Sequence, residues 1–304
     1  GGPLGTEFLA GGEVDVTRLQ NPAGIPGPDE DEFSTIGTYL QATTPLASSL
    51  TLTLAGRADY LSVREGVEFS PRTALVYTPA PSHALRAGYN RTVSVPSANP
   101  LLRVAPGISA SSQATVTQTL EAGYKGQFRD RGRLTVDAYY ETRDNVLVPV
   151  GLPVEYQNAG DIDYWGLDVS AEVNATDALA LFGNTSVVSD DAFGEGSVPA
   201  ETIALNAPAF KVKGGLDYRL PRYDASLGAT AHYVDDFPVR HGPYLGTVDA
   251  YTLFDVRARA AIPAVPGLDV KLTAKNVLGN ENREFVGAPA LDRTLTVRLT
   301  YELP

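Results

Sequence analysis

Three histidines, His83, His232 and His241, are the side chains best suited to proton transfer or metal binding near neutral pH. Their spacing suits neither. No two stand at i, i+2 or i, i+4, the relations that turn two imidazoles toward one metal. The chain has no cysteine, which excludes a thiolate metal centre, a cysteine nucleophile and a disulfide scaffold. The densest carboxylate run, Asp29-Glu30-Asp31-Glu32, lacks the alternating ligands and turn glycine of a calcium loop. Such runs are normally solvated, and Asp190-Asp191 is read the same way. Nothing selects a nucleophile with its base. The residues therefore predict no catalytic centre, no metal and no cofactor. What remains is binding chemistry. Arg91, Asn99, Arg103, Asn158, Asn206, Arg240, His241, Tyr244 and Arg283 offer hydrogen bonds and aromatic surface in segments between strands, where binding residues concentrate.

The elements that must position them follow from composition and pattern. Of 304 residues, 36 are acidic and 24 basic, a net charge of -12. Phosphate contacts need a surplus of Lys and Arg, so a nucleic-acid partner is not expected. With 43% hydrophobic and 20% charged residues the chain is neither disordered nor fibrous. Its longest nearly apolar run, Val146 to Val154, is broken by Pro149, Gly151 and Pro153. A membrane helix needs about 20 apolar residues. A membrane strand does not.

The side-chain period is two almost throughout. Val116, Gln118, Leu120, Ala122, Tyr124, Gly126 and Phe128 alternate with Thr117, Thr119, Glu121, Gly123, Lys125 and Gln127. Trp165, Leu167, Val169, Ala171 and Val173 alternate with Tyr164, Gly166, Asp168, Ser170 and Glu172. Leu295, Val297, Leu299 and Tyr301 do so with Thr294, Thr296, Arg298 and Thr300. Successive strand side chains face opposite ways, so each stretch has one apolar and one polar face. The polar parity carries Arg57, Glu121, Lys125, Asp137, Arg143, Asp168, Lys211, Lys213, Arg257 and Arg298, expected to line a wet lumen. Cross-strand pairing on that face would add about 0.2–1 kcal/mol per pair.

Residues 115–128, 162–175, 247–261 and 292–303 predict strands of 12 to 15 residues. Globular strands usually run about 5–6, and bilayer-crossing strands about 9–11 with extensions. Short turns at 44–48, 79–82, 129–132, 175–178, 220–223 and 263–267 alternate with long segments at 15–33, 61–69, 92–114, 144–161, 189–208, 235–246 and 279–291. That alternation is the mark of an outer-membrane barrel. It predicts 13 strands from Ser34 to Leu303, with Leu4–Val14 as a fourteenth. Tyr60, Tyr77, Tyr89, Tyr164, Trp165, Tyr218, Tyr223, Tyr233 and Tyr251 are expected in aromatic girdles.

Several stretches, in order, resemble the TonB-dependent outer-membrane receptors. They are Thr38-Tyr-Leu-Gln41, Ala55-Gly-Arg-Ala-Asp-Tyr60, Phe69-Ser-Pro-Arg72, Val76-Tyr-Thr-Pro79 and Leu85-Arg-Ala-Gly-Tyr-Asn-Arg91 with Val95-Pro-Ser97. Tyr156-Gln-Asn-Ala-Gly160 before Trp165-Gly-Leu-Asp-Val169, then Lys275-Asn-Val-Leu-Gly279 and Glu284-Phe-Val-Gly-Ala-Pro289 with Arg293, continue the likeness to the end. The resemblance implies an all-β, antiparallel up-and-down transmembrane barrel, with about 13–14 strands here of a 22-stranded whole. Residues 1–304 then form the C-terminal portion, with the family's N-terminal plug and coupling segment outside this sequence. The implied function is capture of a scarce nutrient (siderophore, cobalamin, glycan or peptide) by outer loops, followed by import through plug movement driven by the inner-membrane TonB complex. Outer-membrane lipid of a Gram-negative bacterium is the implied surrounding. The alternative is a plugless porin or a structural barrel subunit, and a third reading is a soluble extracellular β-protein.

Overall fold

The computed structural model describes residues 5–20, 30–62, 66–94, 114–129, 131–150, 155–189, 204–241 and 243–302. Strands account for the large majority of them. In chain order these are β1 (Glu7–Gln20), β2 (Glu30–Ala47), β3 (Leu50–Leu61), β4 (Gly66–Ala80), β5 (His83–Ser94) and β6 (Thr115–Phe128). Next come β7 (Gly132–Asp144), β8 (Leu147–Val150), β9 (Glu155–Asn158), β10 (Ile162–Asn174), β11 (Leu179–Val188) and β12 (Phe210–Leu220). The chain closes with β13 (Ala225–Val234), β14 (Phe237–His241), β15 (Tyr244–Val248), β16 (Tyr251–Ala261), β17 (Leu268–Lys275) and β18 (Thr294–Tyr301). Fourteen of them form one antiparallel sheet in the order β1-β2-β3-β4-β5-β6-β7-β10-β11-β12-β13-β16-β17-β18. Hairpins β8–β9 and β14–β15 stand apart as two-stranded ribbons.

The strand count agrees with the expectation from the sequence; several boundaries do not. The first strand runs past Val14 to Gln20, paired residue by residue with β2 from Thr35 to Glu30. Much of the expected long segment 15–33 is therefore ladder. Segment 144–161 folds its own hairpin β8–β9, and 235–246 contributes to β14–β15. Thr247 and Val248 belong to β15, and β16 starts only at Tyr251. A period-two pattern cannot mark where one strand stops and the next, of the same parity, begins.

The two faces of the sheet differ sharply. On the apolar parity Val14 is 69% exposed, Val67 68%, Trp165 50% and Leu295 72%. Among the described residues the largest fully buried side chains are Val239 and Val248, both in the β14–β15 ribbon. A water-soluble sheet covers its apolar face with a second layer. Among the described residues there is no such layer, so hydrocarbon is the solvent that fits this sheet.

On the polar face, charges pair across glycines. Glu13, Gly37 and Asp59 are directly opposed on β1, β2 and β3, and Arg57 reaches Asp59 at 2.7 Å and Glu13 at 3.0 Å. Arg86, Gly123 and Asp137 repeat the arrangement on β5, β6 and β7, with Arg86 Nη2 to Asp137 Oδ1 at 2.8 Å. Asp217, Gly228 and Arg257 form a third example on β12, β13 and β16, with Arg257 Nε donating to Asp217 Oδ1 at 3.0 Å. A Cβ at Gly228 would stand 2.5 Å from Arg257 Nε and 2.7 Å from Asp217 Oδ1. The middle glycine is the gap through which a guanidinium ties strands two apart.

Two measurements check this. Trp165, the chain's one tryptophan, should be quenched by brominated acyl chains in reconstituted vesicles; quenching by aqueous iodide alone would contradict a lipid-facing sheet. In a double-mutant cycle, Gly123→Ala should cost up to about 1 kcal/mol of unfolding stability in the wild-type background. It should cost nothing further after Arg86→Gln; additive losses would show that the glycine does not serve the ion pair.

Candidate functional site

At one end of the sheet the strands are joined by tight turns such as 81–82 and the 3-10 turn Pro221–Tyr223. The ribbons lie at the other end, where β14 touches β8. Around β14–β15 an apolar cluster forms from Val234, Phe237, Val239 and Val248, with Tyr251 and Val286 packed against it. Val286 also closes on Gly246, where an added Cβ would meet its Cγ1 at 3.1 Å.

Five of the nine expected ligand-binding residues fall into this layer. Asn206 grips the backbone of Arg240: its Oδ1 accepts from Arg240 N at 2.6 Å, and its Nδ2 donates to Arg240 O at 3.4 Å. The Arg240 guanidinium donates inward to the carbonyls of Val239 at 2.8 Å and Gly246 at 2.7 Å. It is thereby a brace of the ribbon. His241 pairs with Tyr244 at the ribbon's tip, and the Tyr244 ring meets Phe285 edge-on at 5.3 Å. Exposed Arg283 lines a cleft with Thr247, Asp249 and Tyr251.

The other expected positions lie elsewhere. Arg91 is held by Glu68 at 3.1 Å and by the Phe69 carbonyl. Asn158 closes the base of β8–β9, donating to Asn145 Oδ1 at 3.3 Å and accepting from Gly160 N at 2.8 Å. Asn99, Arg103 and Asp29 fall outside the described residues; the rest of the acidic run, Glu30, Asp31 and Glu32, opens β2, where Glu32 meets Arg18 at 2.8 Å. Asn282, Phe285 and Val286 were not expected as site residues; Phe285 and Val286 entered only within the stretch 284–289 that carries the family resemblance. The adjacent apolar pair Phe285-Val286 inside a polar segment is the signal that could have found them.

The ten charged positions of the polar parity share one face by register. A transverse row runs Gly123, Asp137, Asp168, Ser186, Lys211 across β6, β7, β10, β11 and β12. Asp137 and Asp168 are directly opposed like charges, which destabilise a sheet unless compensated. Arg86 compensates the first, and the Ser186 hydroxyl donates to the second. Glu121 lies 3.8 Å from Arg86. Arg143 Nε meets Glu141 at 2.5 Å, and the Tyr164 hydroxyl donates to Glu141 at 2.6 Å. Tyr164 thus sits on the polar face, and so does Tyr251, against His232 at 6.2 Å; neither joins a girdle. Lys125, Lys211, Lys213 and Arg298 form no ion pair among the described residues.

An apolar-out, charge-lined sheet with ribbons at one end and tight turns at the other is matched by a known family. Residues 3–277 match the family described as TonB dependent receptor-like, beta-barrel. The chain belongs to that family. Its members are outer-membrane transporters of Gram-negative bacteria and not enzymes. A mutant of the ferric enterobactin receptor from Pseudomonas aeruginosa superposes with a TM-score of 0.74 at 16% identity, over 98% of this chain and 51% of that one. Another mutant of that receptor, in complex with enterobactin, gives 0.73 at 15% identity, over 97% and 51%. The FrpB iron transporter from Neisseria meningitidis gives 0.67 at 16%, over 90% and 45%. At these identities the likeness is one of fold. This TonB-dependent receptor-like chain spans about half the length of the solved structures it matches. No curated protein matches the sequence.

If Asn206 is the clamp on β14–β15, Asn206→Ala strips partners from the Arg240 N–H and C=O. Limited proteolysis of intact cells should then cut within residues 237–248 several times faster, while the barrel still resists SDS at room temperature. Unchanged cleavage would show that the apolar cluster alone holds the ribbon.

Proposed function

We propose that residues 1–304 are the C-terminal part of the barrel of a TonB-coupled outer-membrane uptake receptor. In this reading the loop-end layer captures a scarce nutrient, and a plug carried elsewhere on the full-length protein is moved by the inner-membrane TonB complex to admit it. The observation that carries the reading is the two-faced sheet. One face is apolar and exposed, and the other bears ion pairs together with Lys125, Lys211, Lys213 and Arg298, cations without an ion pair among the described residues. Among the described residues the sheet has two free edges, β1 and β18. Every backbone group in hydrocarbon needs a partner, so further strands on those edges, completing a 22-stranded barrel, accord with this reading.

In this mechanism no bond is broken. Loop residues bind, lumen charges hold the plug and conduct the solute, and conformational gating does the transport. The candidates are those expected from the sequence, led by His241, Tyr244 and Arg283 of the loop-end layer. The solved relatives named as ferric enterobactin receptors and an iron transporter make ferric siderophores the first ligands to assay, and those cations favour an anionic chelate. Cobalamin, glycan and peptide follow.

Uptake of a radiolabelled ferric siderophore by cells expressing the full-length receptor should vanish when the inner-membrane coupling protein is deleted, with surface binding retained. Lys211→Glu with Lys213→Glu should lower uptake of an anionic chelate by about tenfold, a loss equivalent to about 1.4 kcal/mol. A steady open conductance in planar bilayers, with no dependence on coupling, would replace this reading with a porin.

A further inference from the structure

The wall contains a seam that its ladder leaves open. β4 stays paired with β3 as far as Gly66 opposite Leu61, and β5 with β6 as far as Ser94 opposite Thr115. Between β4 and β5 the ladder stops lower, at Arg72 opposite Asn90. Beyond that pair, residues 66–71 and 91–94 run on toward the loop end without ladder partners in each other. Pro71 explains where the ladder stops. Continued register would set it against Arg91, and a proline has no N–H to donate. Arg91 bridges the seam instead, donating through Nη1 to the Phe69 carbonyl and through Nη2 to Glu68 Oε2 at 3.1 Å. This bridge differs from the others on the wall. Arg57, Arg86 and Arg257 lie on the polar face over glycines. Arg91 starts on the opposite face beside Gln118, which also accepts from the Tyr89 hydroxyl at 2.9 Å. Glu68 lies opposite Asp59, on the polar face with Arg57. The guanidinium therefore passes through the plane of the sheet, where backbone hydrogen bonds would otherwise close it.

We propose that the β4–β5 seam is a lateral gate at the barrel mouth, with Arg91 as its bolt. A complete antiparallel ladder parts only by breaking backbone bonds along its whole length. Here the strand ends are joined through a side chain, and its release separates them while the β3–β4 and β5–β6 ladders stay whole. Arg91 and Glu68 keep 26% and 19% of their side-chain surface exposed, so water reaches the pair and can take it apart. Unpaired backbone is excluded from hydrocarbon. The seam satisfies that rule, because it lies on the loop side of Tyr89, where water supplies partners. Exposed Val67 and Phe69 border it on the apolar face and Glu68 on the polar face. Parting the strands there widens the mouth toward the surrounding lipid. The competing reading is a rigid irregularity in which Arg91 replaces the ladder bonds permanently. The gate itself needs only the membrane sheet; its effect on transport rests on the uptake reading.

Continuous-wave EPR on the full-length protein in outer-membrane vesicles tests the gate. Nitroxides go on Ser70→Cys and Thr92→Cys, which continued register sets face to face across the seam. Dipolar broadening is expected with Arg91 in place and should be largely lost in Arg91→Gln. A second label pair on Thr53→Cys and Ala74→Cys, opposed across the complete β3–β4 ladder, should stay broadened in both backgrounds. Equal broadening at the seam with and without Arg91 overturns the proposal. Loss of broadening at both pairs also overturns it, since the seam would then not part by itself. Oxidising the cysteines at 70 and 92 to a disulfide should slow coupled uptake of a ferric siderophore about tenfold, with recovery on reduction. Full uptake by the oxidised protein overturns the gate. Where even the unlocked protein takes up nothing, the transport reading falls, and the EPR result alone decides this one.

Discussion

Backbone hydrogen bonding in hydrocarbon is the constraint on which the rest of this structure depends. No water is present there to pair an exposed N–H or C=O, so the chain must pair them with itself, strand against strand. Antiparallel neighbours joined by tight turns do this with the shortest connections. Once the ladder is obligatory, side chains have only two directions available, toward lipid or toward the interior. Every other property of the sheet follows from that division: the exposed valines and leucines, the charge-lined opposite face, and the concentration of irregular backbone at one end.

The polar face shows how a barrel wall is stabilised without a packed core. A guanidinium is long enough to tie strands two apart, but only if the strand between presents no side chain. Gly37, Gly123 and Gly228 supply that gap at three places around the sheet. Aromatic rings use the same device on directly opposed glycines, with Tyr39 over Gly11, Tyr139 over Gly166 and Phe182 over Gly215. The polar face is thus braced by side chains lying flat on the wall.

The loop end obeys a different rule. There the backbone is in water and can afford irregularity, and a small apolar cluster around Val239 and Val248 organises it. Arg240 illustrates what the fold adds to a reading from residue type. An arginine in a long loop reads as a ligand donor, yet the fold turns its guanidinium onto the carbonyls of Val239 and Gly246. Asn158 and Asn206 likewise spend their amide oxygens on backbone N–H groups, those of Gly160 and Arg240. Phe285 and Val286 looked like connecting residues and proved to be packing ones.

Strand identity, the sorting of side chains into two faces and the end at which connections are long were all determined by the sequence alone. Each depends on a residue and its near neighbours: parity is local, and so is the length of a turn. The tertiary structure alone decided that β16 begins at Tyr251, that Arg86 reaches over Gly123 to Asp137, and that Asn206 meets Arg240. It also decided that Asn282 is buried, bridged to Leu291. These facts join residues tens of positions apart, and their distances are set by strand register and ribbon packing, which no local pattern encodes.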